Sequence, residues 1–227
     1  MARDHGTDAV NELTTAVVEQ KPRLRGRLHQ IAFFFSIPQG VAVVAAAAGA
    51  AARLAAGVYA VSLAGLYGAS ALYHRLRWSP RALMRMRRLD HAMIFVLIAG
   101  SYTPFALLVL HGAWSVAILG LAWAGALAGI AIKILSIDRL RVLGGAMYIV
   151  LGWLVIIALP QIVRGLPPAG VVLLFAGGIL YTAGAAVLWR RWPNPSPTWF
   201  GYHEVWHAMV IAASLCHYAA IMLLLTR

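Results

Sequence analysis

The chain has 227 residues, 62% of them hydrophobic and 11% charged, and a mean hydropathy of +0.78. Soluble domains carry about half apolar and a quarter charged residues, so a water-soluble fold is excluded. The net charge of +12 lies in short segments between apolar runs, which reads as a topology signal and as contact with anionic lipid head groups, not as a nucleic-acid surface.

A helix crossing a hydrocarbon core of about 30 Å needs roughly 20 apolar residues. Residues 1–30 are polar and basic without an early apolar core, which predicts a cytoplasmic tail and no cleavable signal. Seven apolar stretches follow, near 31–52, 54–74, 89–110, 114–136, 142–161, 168–189 and 203–225. They predict an all-α polytopic membrane protein whose single domain, 31–227, is a bundle of seven transmembrane helices. The breaks carry turn chemistry: Arg53, Trp78-Ser79-Pro80, His111-Gly112, Gly165-Leu166-Pro167-Pro168 and Pro193-Asn194-Pro195-Ser196-Pro197. Pro38 and Pro104 fall inside spans and predict kinks, tolerable where neighbouring helices satisfy the freed carbonyls. Cys216, the single cysteine, lies in an apolar span and says nothing of redox compartment.

Lysine and arginine orient the bundle. With a cytoplasmic N-terminus, sixteen of the nineteen fall inside and only Arg53, Arg164 and Arg227 outside. This bias predicts the N-terminus inside and the C-terminus outside. Trp78, Trp189, Trp192 and Trp199 read as an interfacial belt on the inner side.

Of seven acidic residues, five lie in the tail or a polar connection (Asp4, Asp8, Glu12, Glu19 and Asp138). Asp90 and Glu204 remain beside apolar spans. In the predicted topology span 2 ends inside at His74, span 3 starts inside at Asp90 and span 7 starts inside at His203 and His207. Four candidate ligands therefore share one membrane depth. Residues four apart are separated by about 40° around a helix and 6 Å along it, so His203 and His207 can face one ion. Ser70 and His74 have the same spacing. Three neutral imidazoles with an open fourth position form the arrangement expected of catalytic Zn²⁺. Asp90 could hold or deprotonate a water there, and Ser70 could hydrogen-bond the water or an imidazole. A single histidine at a helix end is ordinarily an interfacial residue, but ionisable groups inside a membrane are costly and mark function by default.

Residues 203–207, His-Glu-Val-Trp-His, also match the H-E-x-x-H pattern of zinc peptidases, whose glutamate is the general base. Here Glu204 points about 100° away from His203, and no acidic residue follows it. His217 lies about 15 Å beyond His207, too far to share its ion. It could belong to a polar path through the bundle or be a buried, hydrogen-bonded histidine. His91 could pair with Asp90 or a neighbouring helix. Ser101, Tyr102 and Thr103 could line a cavity or satisfy the carbonyls freed by Pro104.

The runs Ser70-Ala-Leu-Tyr-His74, Leu89-Asp90-His91, Ala99-Gly100-Ser101-Tyr102-Thr103-Pro104-Phe105 and Gly201-Tyr202-His203-Glu204-Val205-Trp206-His207, with His217 beyond, resemble the bacterial haemolysin III branch of the progestin and adiponectin receptor family. The resemblance covers the membrane region. It implies a zinc ion held by His74, His203 and His207, with Asp90 and Ser70 beside its water, in an integral protein of the bacterial plasma membrane. Within the wider superfamily it implies a zinc-dependent hydrolase of a lipid amide or ester, with membrane lipids as partners. The alternative is a non-catalytic cytolytic, pore-forming or membrane-state-regulating protein in which the zinc is structural. A lesser alternative is an intramembrane protease using the His-Glu-Val-Trp-His run.

Overall fold

The computed structural model describes residues 22–226. Its helices are α1 Arg27–Ala46, α2 Ala50–Arg75, α3 Pro80–Leu108, α4 Ala113–Ser136, α5 Arg141–Gly152, α6 Leu159–Gly165, α7 Pro168–Arg190 and α8 Tyr202–Leu225. A 3₁₀ segment, Leu154–Ala158, joins α5 to α6, and the three together form the fifth of seven helical segments long and apolar enough to cross a membrane. The all-α, seven-span architecture expected from hydropathy is the one found. Most of the expected tail, residues 1–21, lies outside the described residues.

Local chemistry moves several boundaries. The first break falls at Gly49, in a positive-φ conformation, and not at Arg53, which sits in the first turn of α2 and donates to the Ala47 carbonyl at 3.2 Å. The third span begins nine residues earlier than its apolar run. Ser79 caps α3 by accepting from the Ala82 amide, Pro80 occupies the first turn, and the helix carries Arg81 to Arg88 out of the apolar zone. The fifth span is not continuous. Pro160 lacks the amide that an α-helix would need there, and the Tyr102 hydroxyl clasps the break, donating to the Gly152 carbonyl at 3.0 Å and accepting from the Val155 amide at 2.9 Å. Pro38 and Pro104 lie inside α1 and α3.

The helices close a ring in chain order, with α8 returning to α1 and α7. Helices α2 and α3 are the most enclosed. Tyr59, Leu63 and Leu66 of α2 and Phe95, Ala99 and Phe105 of α3 are buried, whereas Phe34, Val61, Val116 and Leu135 face outward. Large apolar side chains on the outside are what a lipid solvent requires. Small residues set the α2–α3 spacing: a Cβ on Gly100 would meet the Ser62 Cβ at 2.6 Å and the Ser62 hydroxyl closer still. The buried Ser62 hydroxyl is itself tied to the Val58 carbonyl at 2.7 Å, so neither atom can swing away. Gly100→Val is therefore expected to cost about 1–3 kcal/mol by overpacking, read as a lower unfolding midpoint in detergent beside an unchanged Gly57→Val control, since nothing lies within 4 Å of a Cβ at Gly57.

Candidate metal centre

Two helix ends meet at one end of the ring. His74 lies in the last turn of α2, and His203 and His207 begin α8. The His203 Nε2 and His74 Nε2 atoms are 3.2 Å apart. Ring centroids are 4.6 Å apart for His203 and His207 and 5.3 Å for His74 and His207. One nitrogen from each of the three lies within 4.8 Å of the other two. Nitrogen ligands about 2.0–2.1 Å from a zinc-sized ion are separated by roughly 3.4 Å along a tetrahedral edge. The His74–His203 pair already has that spacing, and a small inward shift of His207 would complete the face. His207 is 2% exposed and its Nδ1 has no hydrogen-bond partner among the described residues. The cluster could thus hold a metal ion, and its donor chemistry fits a divalent one.

Ser70, one turn before His74 and buried, lies beside the Asp90 carboxylate of α3. Asp90 is not one of the close group of three, so it approaches as a neighbour through Ser70. The expected five residues are thus gathered as three clustered imidazoles and an adjoining Ser70–Asp90 pair. His91 Nδ1 is 2.8 Å from the Arg87 carbonyl and 3.7 Å from an Asp90 oxygen, so its proton goes to its own helix. His217 Nε2 is 3.2 Å from the Leu174 carbonyl, and its Nδ1 is buried without a partner among the described residues. Of its two readings, the hydrogen-bonded core histidine is the one seen. Thr103 donates to the Ala99 carbonyl and accepts from Trp123 Nε1, and Tyr102 is occupied by the break in the fifth span. Both act in packing.

Glu204 is fully buried and committed to structure. One oxygen accepts from the Gly201 amide at 2.8 Å, which caps α8, and the other is ion-paired with Arg25. Arg25 belongs to a strap, residues 22–26, whose Arg23 and Leu24 amides donate to the Thr198 and Trp199 carbonyls at 2.9 and 3.2 Å. Gly26, at φ 76°, ends the strap where a Cβ would meet the His74 Cβ at 2.5 Å, so only glycine admits both this turn and this approach. Three residues later, in the first turn of α1, His29 stacks face to face on His207, with centroids 3.8 Å apart and 13° between the planes. The strap and His29 were not legible as part of the site. The available signal was positional: His29 opens the first apolar run at the same membrane depth as the end of span 2 and the start of span 7.

Residues 18–218 match the family model described as haemolysin-III related. The chain is 36% identical over 166 residues to a protein named Hemolysin-3 homolog from Bacillus subtilis (strain 168), covering 73% of this chain and 74% of that one. It is also 36% identical over 190 residues to a protein named Hemolysin-3 from Bacillus cereus, covering 82% and 83%. With a match across most of the chain, the seven-helix bundle and its histidine cluster are those of an integral bacterial membrane protein that belongs to the haemolysin III family.

Proposed function

We propose that the protein is a zinc-dependent hydrolase of a lipid amide or ester, serving membrane homeostasis. The observation that carries this reading is the cluster of three imidazoles beside a carboxylate, inside the lipid-facing bundle. When bound, a zinc ion supplies electrophilic activation of a carbonyl and a readily ionised water. His74, His203 and His207 hold the ion. Asp90 accepts the proton, and Ser70, beside it, orients the Asp90 carboxylate. Such a reaction draws its substrate from the bilayer, so no water-filled cleft is required. A protease reading gains nothing from the same pentapeptide, because both oxygens of Glu204 are already engaged by the Gly201 amide and Arg25.

The orientation follows the positive-inside rule. The clustered end also carries the Arg75-to-Arg88 segment, which we place at the cytoplasmic surface against anionic head groups. In a Cys216→Ser background, Arg77→Cys is expected to be shielded from a membrane-impermeant maleimide in intact cells while His111→Cys reacts. The reverse pattern would invert the topology.

A second reading is favoured by one packing feature. Helix α8 packs mainly on α7 and α1, and α2 reaches it through side chains: Tyr59 and Tyr67 hydrogen-bond Ser214, and His74 meets His203. An ion there would be a clasp between α2 and α8 in a non-catalytic membrane protein, as a cytolytic role suggested by the relatives' names would allow. Metal content per purified chain comes first, with about one zinc expected in wild type and loss in His74→Ala, His203→Ala and His207→Ala. Fatty-acid release from a panel of ceramides, amides and phospholipids, abolished by Asp90→Asn without loss of zinc, is the expected result for the hydrolase. Full zinc occupancy with no release from the panel, or liposome leakage unaltered by His207→Ala, would overturn it in favour of the non-catalytic reading.

A further inference from the structure

His29 contributes a fourth imidazole to the centre, and its geometry excludes a ligand's role. Two parallel rings cannot share one ion, because an ion in the plane of His207 stands roughly 3 Å out of the plane of His29, whereas a ligating nitrogen holds its metal in plane at about 2 Å. His29 is nevertheless 3% exposed, and neither ring nitrogen has a hydrogen-bond partner among the described residues. The one near approach is to the His207 main-chain carbonyl, which lies within the hydrogen-bonded body of α8, and it misses hydrogen-bond geometry. Even with that contact counted, the second nitrogen has no hydrogen-bond partner among the described residues.

A ring that served only to pack on His207 would do so better without nitrogens. Phenylalanine presents the same face, and a buried unsatisfied polar atom is costly. Nor is the neighbourhood polar by accident. The other ring against His29 is that of Tyr67, at 5.1 Å, whose hydroxyl is already taken by Ser214. The partner of the free nitrogen is thus a group that the described residues do not supply, beside a ring that stacks on one of the three clustered imidazoles.

We infer that His29 is a binding residue for the oxygen-bearing group that occupies the open position of the metal centre, donating a hydrogen bond to its second oxygen. The chemical class is a carboxylate or the carbonyl group from which one derives: one oxygen at the ion, the other at the His29 N–H. The strap makes this possible, since Gly26 lets the chain turn against His74 and Arg25 anchors it to Glu204, which sets the first turn of α1 over His207. The inference rests on the metal-binding part of the proposed function and not on catalysis.

The probe is acetate, titrated into detergent-purified protein loaded with Co²⁺, with the visible spectrum of the ion as readout. His29→Phe is expected to keep one Co²⁺ per chain and the unperturbed spectrum, because the stack survives. Its acetate affinity should fall by about tenfold or more, the effect of losing a hydrogen bond to a charged oxygen. Equal acetate affinity in wild type and His29→Phe would overturn the inference while leaving the metal site intact. Absence of Co²⁺ binding in wild type would overturn the metal site and the inference together, so the two failures are told apart. Should His29→Phe not retain the ion, His29→Gln and His29→Leu, matched in size and differing in the donor, decide the same point. Tighter acetate binding by the Gln variant supports the inference, and equal binding overturns it.

Discussion

Nitrogen and oxygen atoms inside a hydrocarbon-solvated bundle have no water to fall back on, and each one left without a partner costs about 1–3 kcal/mol. That constraint governs where the chain's histidines go. His91 and, through one of its two nitrogens, His217 meet it locally, each at a main-chain carbonyl, of Arg87 and Leu174 respectively. His74, His203 and His207 turn toward one another, with the Nε2 atoms of His74 and His203 3.2 Å apart, in an arrangement that could hold a metal ion. The helix ends that carry them are drawn together accordingly. The close approaches at the centre, Gly26 on His74 and His29 on His207, are the packing consequence.

The same constraint explains the polar residues that do no chemistry. Tyr102 spans from α3 to the broken fifth span and satisfies a carbonyl and an amide that the break would otherwise strand. Tyr59 and Tyr67 place their hydroxyls on Ser214, joining α2 to α8 beyond the histidines. In lipid there is little hydrophobic force between helices. Such bonds and small-residue contacts like Gly100 on Ser62 therefore carry the specificity that apolar packing supplies in soluble proteins.

Seven spans were legible because length and hydropathy alone determine whether a segment can cross a bilayer. The clasped break in the fifth span was not, because Leu154-Val-Ile-Ile-Ala158 is equally apolar as an α-helix or a 3₁₀ segment. What distinguishes them is Tyr102, some fifty residues earlier. The pair His203 and His207 could be read from its four-residue period, and His74 and Ser70 from theirs. His29 could not be reached in that way. It stands at the polar-to-apolar boundary, where a histidine is commonplace, and its meaning comes from stacking on a ring near the other end of the chain. Arg25 is hidden for the same reason: its partner Glu204 is 179 residues away, and a basic tail already accounts for an arginine.

The His-Glu-Val-Trp-His run shows how position within a helix decides chemistry. Glu204 falls in the first turn of α8, where unpaired main-chain amides attract a carboxylate, and the Gly201 amide takes one oxygen while Arg25 takes the other. A general base needs a lone pair directed at the water it deprotonates, and Glu204 has one oxygen turned to its own helix cap and the other to the strap. Asp90 is differently placed. Its carboxylate lies beside Ser70, on the helix that also bears His74. In the proposed hydrolysis the proton would pass toward α3, and with His29 in its proposed role the bound group would lie between the Ser70–Asp90 pair and His29. On that reading the first turn of α1, seated by the strap through Arg25 and Gly26, forms the wall opposite the base while supplying none of the candidate ligands.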